Sequence, residues 1–493
     1  MSPLSRALDH SSARTLPRAR GVGAPRRADA RASERESPER AYPDSVRDCV
    51  IQAAFAVLLV VACGGEGQGV PDVRPNILLI SLDTVRADHL GCYGYARDTS
   101  PQIDRLASEG VLFEHAVASA PWTIPSHASL LTGLYARRHR IHLAGQSLPA
   151  HFETLATRLV ADGYATAAAV NVGILENLLV GFDRSWIVPA REGHSDDVFE
   201  LVSSWLASAS LPYFVFLHVY DAHTPYAPDP EFAALFEEPY DGVASGSVGE
   251  VRRLMLGELE LGPDDARHMR NLYDGEIRQL DASLGSFLER LGTAGHLDRT
   301  IVALVSDHGE EFYDHGGFGH GHTLYQELVR VPFILSGPGI PRGVRVATPV
   351  SLVGVAATLL ALAGSPPLEG VDGADLSPHW LRPAVPLRAA PAYSEADFWL
   401  GNKERNFRRS VRSGRYTLHY DAKSAQYTLY DLEQDPTQAA DLSSRRPGVM
   451  DRLRSLLADY VPAGLGPPPT PPSEEMVESM KALGYLEVEE PAP

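Results

Sequence analysis

The chain has 493 residues, 44 Lys+Arg against 63 Asp+Glu, a formal net charge of −19 and 44% hydrophobic residues. Such a composition excludes wholesale disorder. The acidic balance excludes a nucleic-acid binder, which needs a basic face to displace counterions. Lysine occurs only at Lys403, Lys423 and Lys481, so any site built from residues before 403 must work without an ammonium group.

Residues 1 to about 46 are rich in Arg, Ser, Ala and Pro and carry no apolar periodicity. They read as a disordered extension. Arg47 precedes an apolar run over 50–62. At about 13 residues it is too short to cross a bilayer core of about 30 Å as a helix, and it has the length of a signal-peptide core. Val60-Val61-Ala62-Cys63 resembles a bacterial lipobox. The expectation is a lipoprotein signal peptide ending at 62, a lipidated Cys63, a glycine-rich tether over 63–73, and residence on the periplasmic face of a bacterial membrane, the outer one before the inner. Cys92 would then be the one thiol of the mature domain, so no intrachain disulfide is expected. Core burial has to hold the domain together, and over 400 residues suffice for that.

Residues 76–82 form a continuous apolar run that ends at Asp83. Residues 213–219 repeat the pattern and lead into Tyr220-Asp221, and 301–306 lead into Asp307-His308. Runs of this kind suit strands buried on both faces of a parallel sheet. Helical stretches lie between them, such as 277–291 with apolar residues at 277, 280, 284, 287, 288 and 291. The alternation predicts an α/β fold with a large, mostly parallel central sheet flanked by helices over 74–370. After about 370 a Pro-rich linker leads to a smaller subdomain over 371–462. There, 415–420 and 427–431 read as antiparallel strands and 449–460 as a helix. Residues 463–493 read as a Pro-rich tail with a short helix.

In doubly wound sheets the ligand site lies beyond the carboxyl ends of the strands. Asp83, His218, Asp221, His223, Asp307 and His308 stand at three such ends, and a glycine-rich loop adds His320 and His322. A lone His at a sheet edge is usually structural, but convergence from separate strands is not. Mixed carboxylate and imidazole ligands suit Zn²⁺ or Mn²⁺ better than Ca²⁺ alone. Residues 121–133 combine a Pro-containing turn with a helical run. This sets Thr123 just before a helix N-terminus, where free N–H groups favour an oxyanion. Simple N-capping by Thr123, Ser126 or Ser129 is the alternative.

These segments together resemble the sulfatase family of the alkaline phosphatase superfamily. Residues 74–90, with Asp83, are similar to its first metal segment, and 123–133 to its signature. Residues 220–226 look like its central His segment, 306–310 with 330–334 like its second metal segment and following strand, and 429–436 like its C-terminal region. The resemblance spans 74 to about 445, in the right order. It implies metal-dependent ester hydrolysis. Four features depart from the pattern. Thr123 stands where the family carries the Cys or Ser that is oxidised to an aldehyde, and a Thr would give a ketone. His127 replaces the signature Arg. The sulfate-binding lysines are absent. The paired Asp of the first metal segment is Asp83-Thr84.

What remains resembles the phosphoryl-transfer branches of the superfamily, in which an unmodified Thr is the nucleophile. The resemblance then implies one or two divalent ions (Zn, Mn or Ca). Asp83, Thr123, Asp307 and His308 would hold one. His218, Asp221 or His223, with His320 or His322, would hold a second. His127 or His223 would protonate the leaving group or bind the anion. The expected partners are a small-molecule or glycan ester and, through Cys63, a membrane, with no nucleic acid. Phosphate esters are favoured over sulfate esters. A phosphoethanolamine or phosphoglycerol transferase and a non-catalytic binding lipoprotein are the alternatives. Arg86 is expected either to orient Asp83 or to lie at the surface, Glu310-Glu311 to form a solvated loop edge, Trp122 to pack, and Cys92 to be a buried small hydrophobe.

Overall fold

The computed structural model describes residues 74–188, 195–381, 390–398, 406–460 and 480. The extension, the signal-like run, Cys63 with its tether and the tail (save Met480) lie outside the described residues.

An apolar run with no polar alternation needs cover on both faces, and the chain supplies it. Strands β1 (Asn76–Leu82), β2 (Gly110–Phe113), β3 (Ala165–Val170), β4 (Arg184–Ile187), β5 (Tyr213–Val219), β6 (Thr300–Ser306), β7 (Phe333–Ser336) and β8 (Val344–Val346) form one sheet in the order β8-β2-β7-β6-β1-β5-β3-β4. β1 runs parallel to both β5 and β6, and β7 is antiparallel to β2 and β6. Every residue of β1, β5 and β6 is buried. Their side chains divide between two cores. Ile77, Leu79, Phe214 and Phe216 enter one, and Leu78, Ile80, Val215 and Leu217 the other.

Helices cover both faces. With α1 (Pro101–Ser108), α2 (Thr123–Thr132), α3 (Leu155–Ala161), α4 (Ser195–Leu206), α5 (Pro263–Thr293) and α6 (Val355–Ala363), the first core takes α2, α3 and α6 through Ala128, Leu155, Leu159 and Leu359. The second takes α1, α4 and α5 through Ile103, Phe199, Ile277, Leu284 and Phe287. The apolar stripe read from the sequence begins near 277, yet α5 starts fourteen residues earlier, at Pro263. In this first half Met269 and Tyr273 already enter the second core, and polar burial adds to them. Asp274 accepts from Tyr95 and Arg97 and pairs with His89 Nδ1 at 2.7 Å.

The fold class read from the sequence is the one observed. Beyond the main sheet, β9 (Ala392–Phe398), β10 (Asn406–Ser413), β11 (Tyr416–Asp421) and β12 (Gln426–Asp431) make an antiparallel sheet in chain order. Helix α7 (Pro447–Tyr460) packs Leu453 and Leu457 against Val411, Leu418 and Leu429. The sequence pattern showed β11, β12 and α7 but not β9 or β10. Glu395 and Asp397 in β9, and Arg408, Arg409 and Arg412 in β10, break the apolar alternation that marks a strand.

Burial also sets a pH term. Glu276 of α5 is 6% exposed and accepts from Ala227 N at 2.7 Å. Burial pushes its carboxyl up to about 8, above the ordinary 4.5. The folded state thus holds a proton that the unfolded chain has released, so stability falls as pH rises from about 4.5 through 8. Glu276→Gln is expected to match the wild type at pH 4.5 and to exceed it at pH 9 by about 2–4 kcal/mol, read by denaturant unfolding at both pH values. A stability difference that does not change with pH would contradict this.

Candidate active site

The site starts from the strand ends. Ser81 lies opposite His218 and Leu82 opposite Ser306 in the parallel registers, so the three chains leave the sheet side by side. Asp83 N donates to Val219 O at 2.9 Å, which carries the ladder one residue past β1 and fixes the Asp83 backbone. Asp83, Thr123, His127, His218, Asp307 and His308 are all fully buried at this edge.

Helix α2 brings the hydroxyl. Trp122 is extended and the helix begins at Thr123 itself, one position earlier than the sequence suggests. Thr123 Oγ1 lies 3.5 Å from Asp83 Oδ2 and 3.3 Å from His308 Nε2. It is therefore not a capping side chain on its own helix. Ser126 Oγ donates to Asp307 O at 2.7 Å, which ties the first turn of α2 to the end of β6.

His308 shows what this edge is shaped for. Its Nδ1 lies 2.9 Å from Gly309 O, so Nδ1 carries the proton and Nε2 presents a lone pair. That lone pair faces Asp83 Oδ1 at 3.5 Å and Asp307 Oδ2 at 3.4 Å. Both of these carboxylate oxygens are buried without a hydrogen-bond partner. Burial, with Glu310 nearby, pushes Asp83 up to about 8 against the pull of His320 and Thr123. Burial and Asp83 raise Asp307 well above the carboxylate range. Burial holds His308 well below the usual imidazole value. Two orphaned carboxylate oxygens and a neutral imidazole lone pair within 4.8 Å of one another are a donor set that fits a divalent cation.

The remaining sequence candidates divide. His218 Nε2 lies 3.1 Å from Asp83 Oδ2, and burial lowers its pKa to about 3. With His127 and Asp307 it makes a second close group of donors. His127 is engaged on both nitrogens: Nδ1 donates to Thr123 O at 2.8 Å and Nε2 accepts from Ser81 Oγ at 2.9 Å. His223 is held by Thr224 O at 2.9 Å and Tyr220 Oη at 3.0 Å. His320 Nδ1 is 3.0 Å from Glu310 Oε1, and its ring centroid lies 4.6 Å from that of His308 and 5.0 Å from that of His223.

Two expected ligands are directed elsewhere. Asp221 accepts from Ser195 N at 3.0 Å and Asn171 Nδ2 at 3.3 Å, so it braces the start of α4. His322 Nε2 lies 2.8 Å from Glu311 Oε2, outside the Asp83 cluster. Three further expectations are corrected. Arg86 does not orient Asp83; it is buried against Asp88, Asp314 and Glu310 O. Glu310 and Glu311 are not a solvated edge but buried carboxylates, each binding a histidine. Cys92 is half-buried rather than buried. Sequence reasoning missed Ser81 and Tyr220 and read Ser126 only as a cap, whereas it ties α2 to Asp307, since a lone hydroxyl carries no pattern of its own.

A family model described as Sulfatase matches residues 75–365. The chain is 27% identical over 407 residues to an ulvan-active sulfatase of Formosa agariphila, covering 75% of this chain and 77% of the relative. It is 27% identical over 467 residues to human arylsulfatase A, covering 78% and 87%. Among solved structures, a phosphonate monoester hydrolase of Agrobacterium radiobacter is similar with a TM-score of 0.65 and 23% identity, over 79% of this chain and 96% of that one. A structure solved with its substrate D-glucosamine-2-N,6-O-disulfate gives a TM-score of 0.68 and 20% identity, over 78% and 97%.

The chain belongs to the sulfatase family. It is accordingly a hydrolase acting on ester bonds, in a family that uses a divalent metal. Asp307→Asn removes one of the two repelling carboxylates. In chelator the variant is expected to melt at or above the wild type. With Mn²⁺ or Zn²⁺ the wild type should gain, while the variant's metal affinity falls about tenfold or more, read by melting curves and metal content. Equal gains in both proteins would remove the cation from Asp307.

Proposed function

We propose that the chain hydrolyses phosphate esters, with sulfate esters as the lesser substrates, and that Thr123 is the nucleophile. The observation that carries this reading is the position of Thr123 Oγ1, 3.5 Å from Asp83 Oδ2 and 3.3 Å from His308 Nε2. A Thr cannot be oxidised to the aldehyde, and no lysine lies before 403 to hold a sulfate. A divalent cation held by Asp83, Asp307, His308 and Thr123 would lower the hydroxyl pKa and supply the positive charge that the missing lysines do not.

The residues then have distinct tasks. Asp83 accepts the Thr123 proton. Thr123 Oγ1 attacks phosphorus as the ester oxygen leaves, and water later hydrolyses the phospho-Thr123. The proton for the leaving oxygen is assigned to His320, whose Nδ1 faces Glu310 Oε1, while the neutral His223, held by Thr224 and Tyr220, packs beside it. His127 positions Thr123 through its carbonyl rather than acting as an acid. His218 stays neutral and braces Asp83. A glycan ester is the favoured substrate class, in keeping with the ulvan-active relative and the glucosamine disulfate complex. Export and lipid anchoring through Cys63 complete the proposal and would place the enzyme where such esters are met. A lysine-free site leaves sulfate hydrolysis open through family membership alone.

The test is hydrolysis of nitrophenyl phosphate, a nitrophenyl phosphodiester and nitrophenyl sulfate by the metal-loaded wild type, Thr123→Ser and Thr123→Ala. Phosphate turnover above sulfate turnover, a loss of about 10³-fold or more in the alanine variant and partial activity in the serine variant are expected. Full activity in Thr123→Ala would sink the covalent route, and faster sulfate turnover would reverse the substrate order.

A further inference from the structure

Away from Thr123, one group of cations makes no direct ion pair among the described residues. Arg412 of β10 is 5% exposed. Its Nε donates to Gly414 O and its Nη1 to Gln326 Oε1, each at 3.4 Å, and both acceptors are neutral. Arg330 opens a short strand that pairs with Ala116 and Val117. Its Nε donates to Glu114 O at 3.2 Å, and its guanidinium stands 5.8 Å from the Tyr93 ring centroid. Among the described residues neither arginine makes an ion pair. His115 completes the group, with a buried Nδ1 that has no hydrogen-bond partner.

The three groups feel one another. Burial and the nearby Arg330 pull Arg412 down to about 10. Burial, Arg412 and Arg330 pull His115 down to about 4. The carboxylates in reach are engaged elsewhere. Glu114 Oε1 accepts from Arg345 at 2.8 Å, and Asp88 is paired directly with Arg86, with Arg330 acting on it only at longer range. A buried guanidinium beside a second one, with only weak neutral acceptors, is costly unless an anion joins them. Two planar forks present the donor pattern that matches tetrahedral oxyanions. The partial exposure of Arg330 and His115 leaves a way in.

We propose that Arg330, Arg412 and His115 form a binding site for a sulfate or phosphate oxyanion, free or carried on a sugar, that shares no residue with the Thr123 centre. An anion there would join the strand after the second metal segment to the C-terminal sheet, since Arg330 and Arg412 come from those two places.

Metal-loaded wild type, Arg330→Gln and Arg412→Met are melted across titrations of sodium sulfate and of a sulfated monosaccharide, against sodium chloride of equal ionic strength. Any binding at the Thr123 centre is common to the three proteins and cancels. Without oxyanion, at least one variant should melt at or above the wild type, because an uncompensated charge has gone. With oxyanion the wild type should gain more, its apparent affinity about tenfold above that of either variant. A stronger effect of sulfate assigns the site to the free ion, and a stronger effect of the sugar assigns it to substrate-borne groups. Equal responses of all three proteins to both probes would overturn the proposal. So would variants destabilised without oxyanion whose deficit stays constant in sulfate, because that marks both arginines as plain structural donors.

Discussion

Two carboxylates buried side by side are the constraint on which the rest of this structure turns. Asp83 and Asp307 each leave one oxygen without a hydrogen bond in a dry strand-end crevice. In such a medium like charges repel strongly, and burial alone penalises each of them. The chain holds them together nonetheless. β1 and β6 are neighbours in a parallel sheet, the backbone of Asp83 is pinned to Val219, and the end of β6 is tied to α2 through Ser126. A cation would resolve the conflict, and the neutral His308 lone pair faces the same two oxygens.

Around that centre the fold avoids competing charge. His127, His218, His223 and His308 are all held neutral by burial. Arg86, only three residues from Asp83, spends its guanidinium on Asp88, Asp314 and a carbonyl. A protein of net charge −19 offers an anionic substrate no long-range attraction. The positive potential that draws such a substrate must therefore be local, and a cation in the carboxylate pair would supply it.

Much of this was legible because strand-end chemistry in doubly wound sheets has a simple signature. The runs before Asp83, Tyr220 and Asp307 are apolar save for a few residues such as Ser81 and His218; Asp83 and Asp307 are delivered to the crevice from the ends of two of them, and His218 from within the third. Asp221 shares the signature and yet braces the start of α4, since residue type says nothing of side-chain direction once the strand has ended; His322, from the glycine-rich loop, meets Glu311 instead. Glu310 and Glu311 look like a solvated pair in sequence. They are buried because His320 and His322, ten or more positions on, fold back over them. β9 and β10 were illegible for a related reason: charged residues such as Glu395 with Arg409 and Arg408 with Asp421 pair across neighbouring strands, and no local pattern marks that.

Local order alone determined the elements, the both-face burial of the central strands, the family and the set of residues from which a site could be drawn. Those follow from period, composition and motif, which are properties of neighbours. Only the tertiary structure decided which candidates meet, which nitrogen of His308 bears the proton, and that His127 supports the Thr123 backbone. Which candidates meet depends on contacts between segments 40 to more than 200 residues apart; the bonds of His308 to Gly309 and of His127 to Thr123 are local in sequence but exist only once the backbone has taken its folded path.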